Sequence, residues 1–243
     1  MPIIIFTKEV KMRFLVLWCF LCFGWSTSVR AASYEFMQRE CAKKMADNPP
    51  QIVVEYSFGK LSIDTTKNAD ELIELAHEFN PKNKNTGNMQ GLTGLKFATK
   101  LNIETLTEEI GKNDVCMMPQ TVRLTLYYEN PTIYIINELE PKTCRYNLVL
   151  RHEYAHLDIG HTALKELAAQ LKQRLTSVVM QRGSKIVLKS IYRQDSQALT
   201  QKFLQEYESG LKPLMNNYKE KLLEEQAQLD TPENYKRESA LCP

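Results

Sequence analysis

The chain has 243 residues, 43% hydrophobic and 25% charged, with 31 Lys plus Arg against 29 Asp plus Glu. That composition excludes a disordered, collagen-like or multi-span membrane chain, and the length suffices for one domain, or one domain with a helical extension, to bury a sizeable core. The formal charge of +2 leaves no footprint for nucleic acid, which needs a basic excess gathered on one face.

The amino terminus reads as an export signal. Lys8, Lys11 and Arg13 make a positive start, Phe14 to Trp25 is apolar, and Val29-Arg30-Ala31 is a small-residue cleavage pattern. The apolar run is shorter than the roughly 20 residues that cross a bilayer, so residues 1–31 are expected to be removed and to leave no membrane span. Removal takes four basic residues and one acidic residue, leaving 27 against 28 and a formal charge of −1. It also takes Cys19 and Cys22. Cys41, Cys116, Cys144 and Cys242 remain, an even number that suits two disulfides in an exported, periplasmic or secreted protein. Three connectivities are possible; the preferred one joins Cys116 to Cys144 across the strand region and Cys41 to Cys242 between the ends.

Residues 32–243 read as one domain, with a strand-rich part over 32–145 and a helical part over 146–243. A short polar helix fits Tyr34 to Met45. Gln51 to Asp64, with Ile52, Val53, Val54, Tyr56 and Phe58, reads as strand material that Gly59-Lys60 can turn. Asp70 to Phe79 fits a helix, and Asn80 to Gly91, rich in Asn, Lys and Gly, an exposed loop. Leu95, Phe97, Leu101 and Ile103 suggest a further strand. Val122, Leu124 and Leu126 alternate with polar residues, Glu129-Asn130-Pro131 breaks the run, and Ile133 to Ile136 resume it, which predicts a hairpin.

From Tyr146 the period becomes helical. Leu157, Leu164, Leu167, Leu171, Leu175 and Val178 form one stripe, a turn is expected at residues 181–184, and a second stripe runs from Leu199 to Leu222 with a kink or break at Gly210 and Pro213. The expected fold is α+β: an antiparallel sheet packed with one long helix and a second long amphipathic helix.

Three of the four histidines fall between residues 152 and 161. His152, Glu153 and His156 form the pattern H-E-x-x-H. Residues four apart on a helix differ by about 40° in direction, so both imidazoles leave one face and can hold one zinc ion. Glu153 lies beside that face, placed to take a proton from an activated water. Val149, Leu150 and Leu157 flank the motif with apolar bulk, and the strand pair precedes it.

With these features the chain resembles the zincin metallopeptidases, whose active helix carries this motif. The carboxy-terminal part resembles more closely a group of exported bacterial proteins described as predicted zinc-dependent proteases. That resemblance rests on Cys116, Tyr128 to Ile135, Cys144-Arg145-Tyr146, the motif itself and Asp230 to Tyr235. It implies a zinc peptidase acting on peptide or protein substrates, with His152 and His156 as metal ligands and Glu153 as general base.

The third ligand stays open. Metzincins place a Gly three and a His six residues after the second motif His, whereas Gly160 is four and His161 five residues after His156; an unbroken helix turns His161 about 140° away, so His161 is a candidate ligand only where the helix breaks at Gly160. Folding the two long helices back at Gly183 brings the motif opposite the region of Pro213, within reach of Glu208 or Glu220. Asp230 to Tyr235 could also line the site, but reads first as a helix cap and a turn through Pro232. The rival expectation is a non-catalytic envelope protein with a structural or vestigial metal site.

Overall fold

The computed structural model describes residues 33–80 and 89–242. The export segment expected over residues 1–31 and most of the loop expected over Asn80 to Gly91 lie outside them. Among the described residues no helix is long and apolar enough to cross a membrane. The described residues divide into two compact units, 33–49, 105–118 and 184–196 in the first and 50–80, 89–104, 119–183 and 197–242 in the second.

In the first unit, helix α1 (residues 33–47) buries Cys41 and Met45. The end of strand β3 (Gly91–Glu109) and the start of strand β4 (Asp114–Ile135) meet at a turn in which the Ile110 N–H donates to the Asp114 carbonyl. A short strand that the sequence reading lacked, β5 (Lys185–Leu188), pairs antiparallel with Asp114 to Met117. The core is Val115, Cys116, Met117, Met118 and Val187, with Cys41 disulfide-bonded to Cys116.

In the second unit, β1 (Gln51–Ser57) runs parallel to Thr121–Tyr127 of β4, and β2 (Ser62–Asp64) runs parallel to Thr132–Tyr134; β3 also pairs with β4. The protein is therefore mixed helix and strand, as expected, but the antiparallel sheet is corrected to an open sheet of mainly parallel strands. Between β1 and β4 the chain passes through α2 (Ala69–Phe79) and β3, long enough to return it in the same direction.

The expected hairpin is also corrected, because β4 is one strand of 22 residues. Its alternation changes phase once. Val122, Leu124, Leu126 and Tyr128 are buried on odd steps of the run, and Pro131, Ile133 and Ile135 on the next phase. Asn130, at φ 46°, absorbs the extra residue as a bulge does, a left-handed conformation that asparagine tolerates. What reads as a strand breaker is thus a shift of register. Gly59, at φ 70°, sits against this bulge; a Cβ there would lie 2.5 Å from the Tyr128 carbonyl oxygen.

α2 begins with a reciprocal cap: the Asn68 side chain accepts from the Glu71 N–H, and the Glu71 carboxylate accepts from the Asn68 N–H, each at 2.9 Å. α3 (Cys144–Arg182) starts at Thr143, whose hydroxyl accepts from the Tyr146 N–H. Its buried stripe includes Leu148, Val149, Leu157, Leu164, Leu167, Leu171, Leu175 and Val178, the pattern expected from the sequence. α4 (Lys189–Ala227) buries Phe203, Tyr207, Leu211 and Tyr218. Its break falls at Asp195 (φ −148°, ψ 45°) rather than at Gly210 or Pro213; Pro213 stands exposed inside continuous helix. α5 (Pro232–Ser239) is capped by Thr231 and has Pro232 in its first turn, where a missing N–H costs nothing.

Both disulfide pairings differ from the preferred ones. Cys41 bonds to Cys116, and Cys144, in the first turn of α3, to Cys242, just past α5. The expectation paired cysteines by nearness along the strand region and by joining the ends. The fold instead brings α1 onto β4 and the last residues onto the start of α3.

Beneath the motif, the Tyr128 hydroxyl donates to the Gly160 carbonyl at 2.8 Å and meets the Tyr218 hydroxyl at 2.5 Å. This buried pair ties β4, α3 and α4 together one turn from His156. Satisfied buried hydroxyls of this kind fix one arrangement of packed helices, because breaking either bond leaves a desolvated polar atom.

Candidate metal centre

The first turns of α3 carry the motif with its expected geometry. His152 and His156 are one turn apart and both buried; their Nε2 atoms are 3.1 Å apart. The third vertex is Asp230, in the short link between α4 and α5. Its Oδ1 lies 3.1 Å from His152 Nε2 and 3.1 Å from His156 Nε2. At ligand bonds of about 2.0–2.2 Å, a tetrahedral ion sets its ligand atoms about 3.3 Å apart, close to this triangle. His152, His156 and Asp230 could therefore hold a metal ion. The histidines close the site from within, and Asp230, with 37% of its side chain exposed, borders the open side.

The remaining ring nitrogens are oriented from behind. His152 Nδ1 is 3.0 Å from Glu238 Oε2, and His156 Nδ1 meets Gln226 Oε1, whose amide Nε2 donates back to the His156 carbonyl at 2.9 Å. If each Nδ1 carries the proton toward its oxygen acceptor, both Nε2 lone pairs point into the triangle, the tautomer metal binding requires. The Tyr235 hydroxyl donates to Asp230 Oδ1 at 2.6 Å and its ring packs 5.3 Å from that of His152.

The electrostatics follow from this packing. Burial disfavours the imidazolium of both histidines, yet the bond to Asp230 and the Glu153 charge outweigh it and raise both above the usual value. Asp230 moves the other way: burial opposes its ionisation, but its bonds to the two imidazoles hold it well below the usual carboxylate range. Burial and the neighbouring Asp230 push the Tyr235 phenol up, so it acts as a donor.

Glu153 is buried beside the triangle. The Thr93 hydroxyl lies 2.9 Å from its Oε2 and 2.8 Å from its carbonyl oxygen. Gly91, at the start of β3, crosses directly over it; a Cβ there would come within 2.5 Å of Glu153 Oε1 and 2.7 Å of Val149. Only glycine lets the strand approach the carboxylate this closely. Burial raises the carboxyl above its ordinary value, against the pull of His156 and Thr93. A cavity of about 640 Å³ opens onto the triangle and Glu153, walled by α2, the start of β3, α3, the end of α4 and α5.

No protein-family model, curated protein or solved structure matches the chain.

The expected third ligands lie elsewhere. His161 stacks on Phe58, ring centroids 4.0 Å apart, where burial lowers its pKa, and Glu208 and Glu220 are exposed on α4. The cause is a shift of register. Folding back at Gly183 places His156 opposite Gly210; β5 and the break at Asp195 move the return further along, so His156 faces Gln226, about sixteen residues or more than four helical turns on. That shift carries the end of α4 and Asp230 to the two histidines. A signal was present, since Asp230-Thr231-Pro232 places a carboxylate just before a capped helix start, but capping alone explained Thr231 and Pro232.

Proposed function

We propose that the chain is an exported zinc-dependent peptidase. The observation that carries this reading is the triangle of His152 Nε2, His156 Nε2 and Asp230 Oδ1 with the buried Glu153 carboxylate beside it, facing one cavity. Two imidazoles and one carboxylate with an open side are the donor set of hydrolytic zinc sites. Bound there, zinc would supply Lewis-acid activation of a water and of the substrate carbonyl. Glu153 takes the proton from the attacking water and returns it to the leaving amine; its raised pKa brings it nearer to working pH for both transfers. Thr93 fixes the orientation of that carboxylate, Tyr235 holds Asp230 by its shared oxygen, and Glu238 and Gln226 keep the imidazoles aligned. Export agrees with two disulfides and with the absence of a membrane-crossing helix among the described residues.

The test is metal content joined to turnover. Zinc near one equivalent per chain, cleavage of a peptide library by the wild type, and a Glu153→Gln variant that keeps zinc but cleaves nothing are expected. Protein that takes up no zinc from solution overturns the reading. The close cover of Gly91 and Thr93 over Glu153 favours one alternative, a metal site that only stabilises the fold. In that case the wild type binds zinc, cleaves nothing, and His152→Ala unfolds.

A further inference from the structure

The cavity wall includes one cationic side chain besides the histidines, Arg145, in the first turn of α3. Its Nε donates to Gln90 Oε1 at 2.7 Å and its Nη1 to the Ser239 hydroxyl at 3.1 Å, both neutral acceptors. Three carboxylates line the same cavity, yet each is engaged elsewhere: Glu153 with Thr93, Asp230 with the two imidazoles and Tyr235, Glu238 with His152. Among the described residues no carboxylate lies within 4 Å of Arg145. The guanidinium is therefore held in place with no carboxylate of the described residues to neutralise it, and the two bonds described leave three of its five N–H groups for a ligand.

Its distance from the metal triangle is set by the helix. Arg145 precedes His152 by seven residues, two turns along nearly the same face and about 10 Å along the axis. An extended peptide covers that span in about three residues. Phe79, Leu92, Leu148 and Leu223 add apolar lining to the cavity. Desolvated surroundings of this kind strengthen a charge-assisted bond between guanidinium and carboxylate.

Resting on the peptidase reading above, we propose that Arg145 anchors a carboxylate of the substrate, so that the cavity takes a short peptide segment bearing that carboxylate within about three residues of the reacting bond. The carboxylate is either a free chain end or an Asp or Glu side chain. A chain end makes the protein trim peptides from their carboxyl terminus; a side chain makes it prefer acidic sequences.

The test uses zinc-loaded Glu153→Gln protein, so that peptides bind without being cut, and calorimetric titration with three sets of acetylated tetrapeptides. One set has apolar residues and a free carboxyl terminus, the second is the same set amidated, and the third is amidated with one internal Glu. One carboxylate-bearing set is expected to bind about ten- to a hundredfold more tightly than the neutral amides, as for hydrogen bonds to a charged partner. Which set does so names the source. Adding Arg145→Gln removes the preference while zinc stays at one equivalent, and Arg145→Lys restores part of it. Equal binding of all three sets to zinc-loaded protein overturns the proposal and leaves the metal reading standing; this comparison needs no change at Arg145. A preference that survives Arg145→Gln overturns it equally. Protein without zinc fails the earlier reading instead, and the two failures are told apart by the metal analysis.

Discussion

The two disulfides stand in unlike surroundings. Cys41–Cys116 is buried, joining α1 to β4 inside the small core of the first unit, and spans 75 residues of sequence. Cys144–Cys242 spans 98 residues and lies toward the surface of the second unit, where it fastens the end of the chain to the first turn of α3. Between α4 and that bond the chain carries Asp230, Tyr235 and Glu238, all of which touch the histidines or one another. The same covalent chemistry thus supports a core in one unit and, in the other, the segment that carries a candidate metal ligand, Asp230. A cross-link's effect depends on what the closed loop would otherwise be free to do.

The largest effect that would sharpen this contrast is loss of the third ligand. Asp230→Ala is expected to weaken zinc binding by at least about a hundredfold, since it removes a bond to the metal itself and not just an outer partner. Competition against a chromophoric chelator measures it, and Glu208→Ala and Glu220→Ala serve as controls that keep wild-type affinity. Tight zinc binding by Asp230→Ala would break the assignment of the triangle.

Removal of each bridge separates the units next. Cys41→Ser with Cys116→Ser is expected to cost about 4 kcal/mol of stability in thermal or denaturant unfolding, with zinc affinity little changed. Cys144→Ser with Cys242→Ser is expected to lower zinc affinity by about ten- to a hundredfold, because the segment bearing Asp230 and Glu238 must then be ordered by the metal alone. If both double variants lose zinc affinity equally, the distinction between the bridges fails.

Smaller again is Glu238→Gln, which keeps the shape but weakens the hold on His152 Nδ1; about a tenfold loss of zinc affinity is expected, with no change in the first unit.

Acidity gives the gentlest probe, and its sign differs with and without metal. In metal-free protein the imidazoles titrate above their ordinary value of 6.5. Their pairing with Asp230 stabilises fully below that value and is lost as pH rises through the raised one. Asp230, depressed below its ordinary 3.8, contributes stability above that value and loses it as pH falls further. Metal must displace the imidazole protons, so zinc affinity falls about tenfold per pH unit for each proton released as pH drops. The rise in Tm on adding zinc should therefore shrink from pH 8 to pH 6. A rise that grows toward pH 6 would contradict imidazole ligation.

Much of the site was legible one helix at a time. The motif spacing alone put His152 and His156 on one face, and the leucine stripe of α3 turned that face inward. Strand positions were legible too, but pairing was not: alternation in β1 and β4 is the same whether the partner runs parallel or antiparallel, and Asn130-Pro131 looks alike as a hairpin turn and as a bulge. Glu238 gave no signal, and Arg145 and Tyr235 stood out only within longer stretches and without a role of their own, because nothing local distinguishes a polar residue in a helical turn that faces a cavity from one that faces water.

By itself the sequence determined the parts that depend on near neighbours: the helical phase of His152, Glu153 and His156, the leucine stripe of α3, and the even set of cysteines left beyond the first 31 residues. Tertiary structure alone decided which cysteines meet, which way the strands run, and that Asp230 completes the triangle. The last of these depends on where α4 returns along α3. Four residues of β5 and one non-helical residue at Asp195 reset that return, and a register carried over two long helices passes a small local change on to a distant contact.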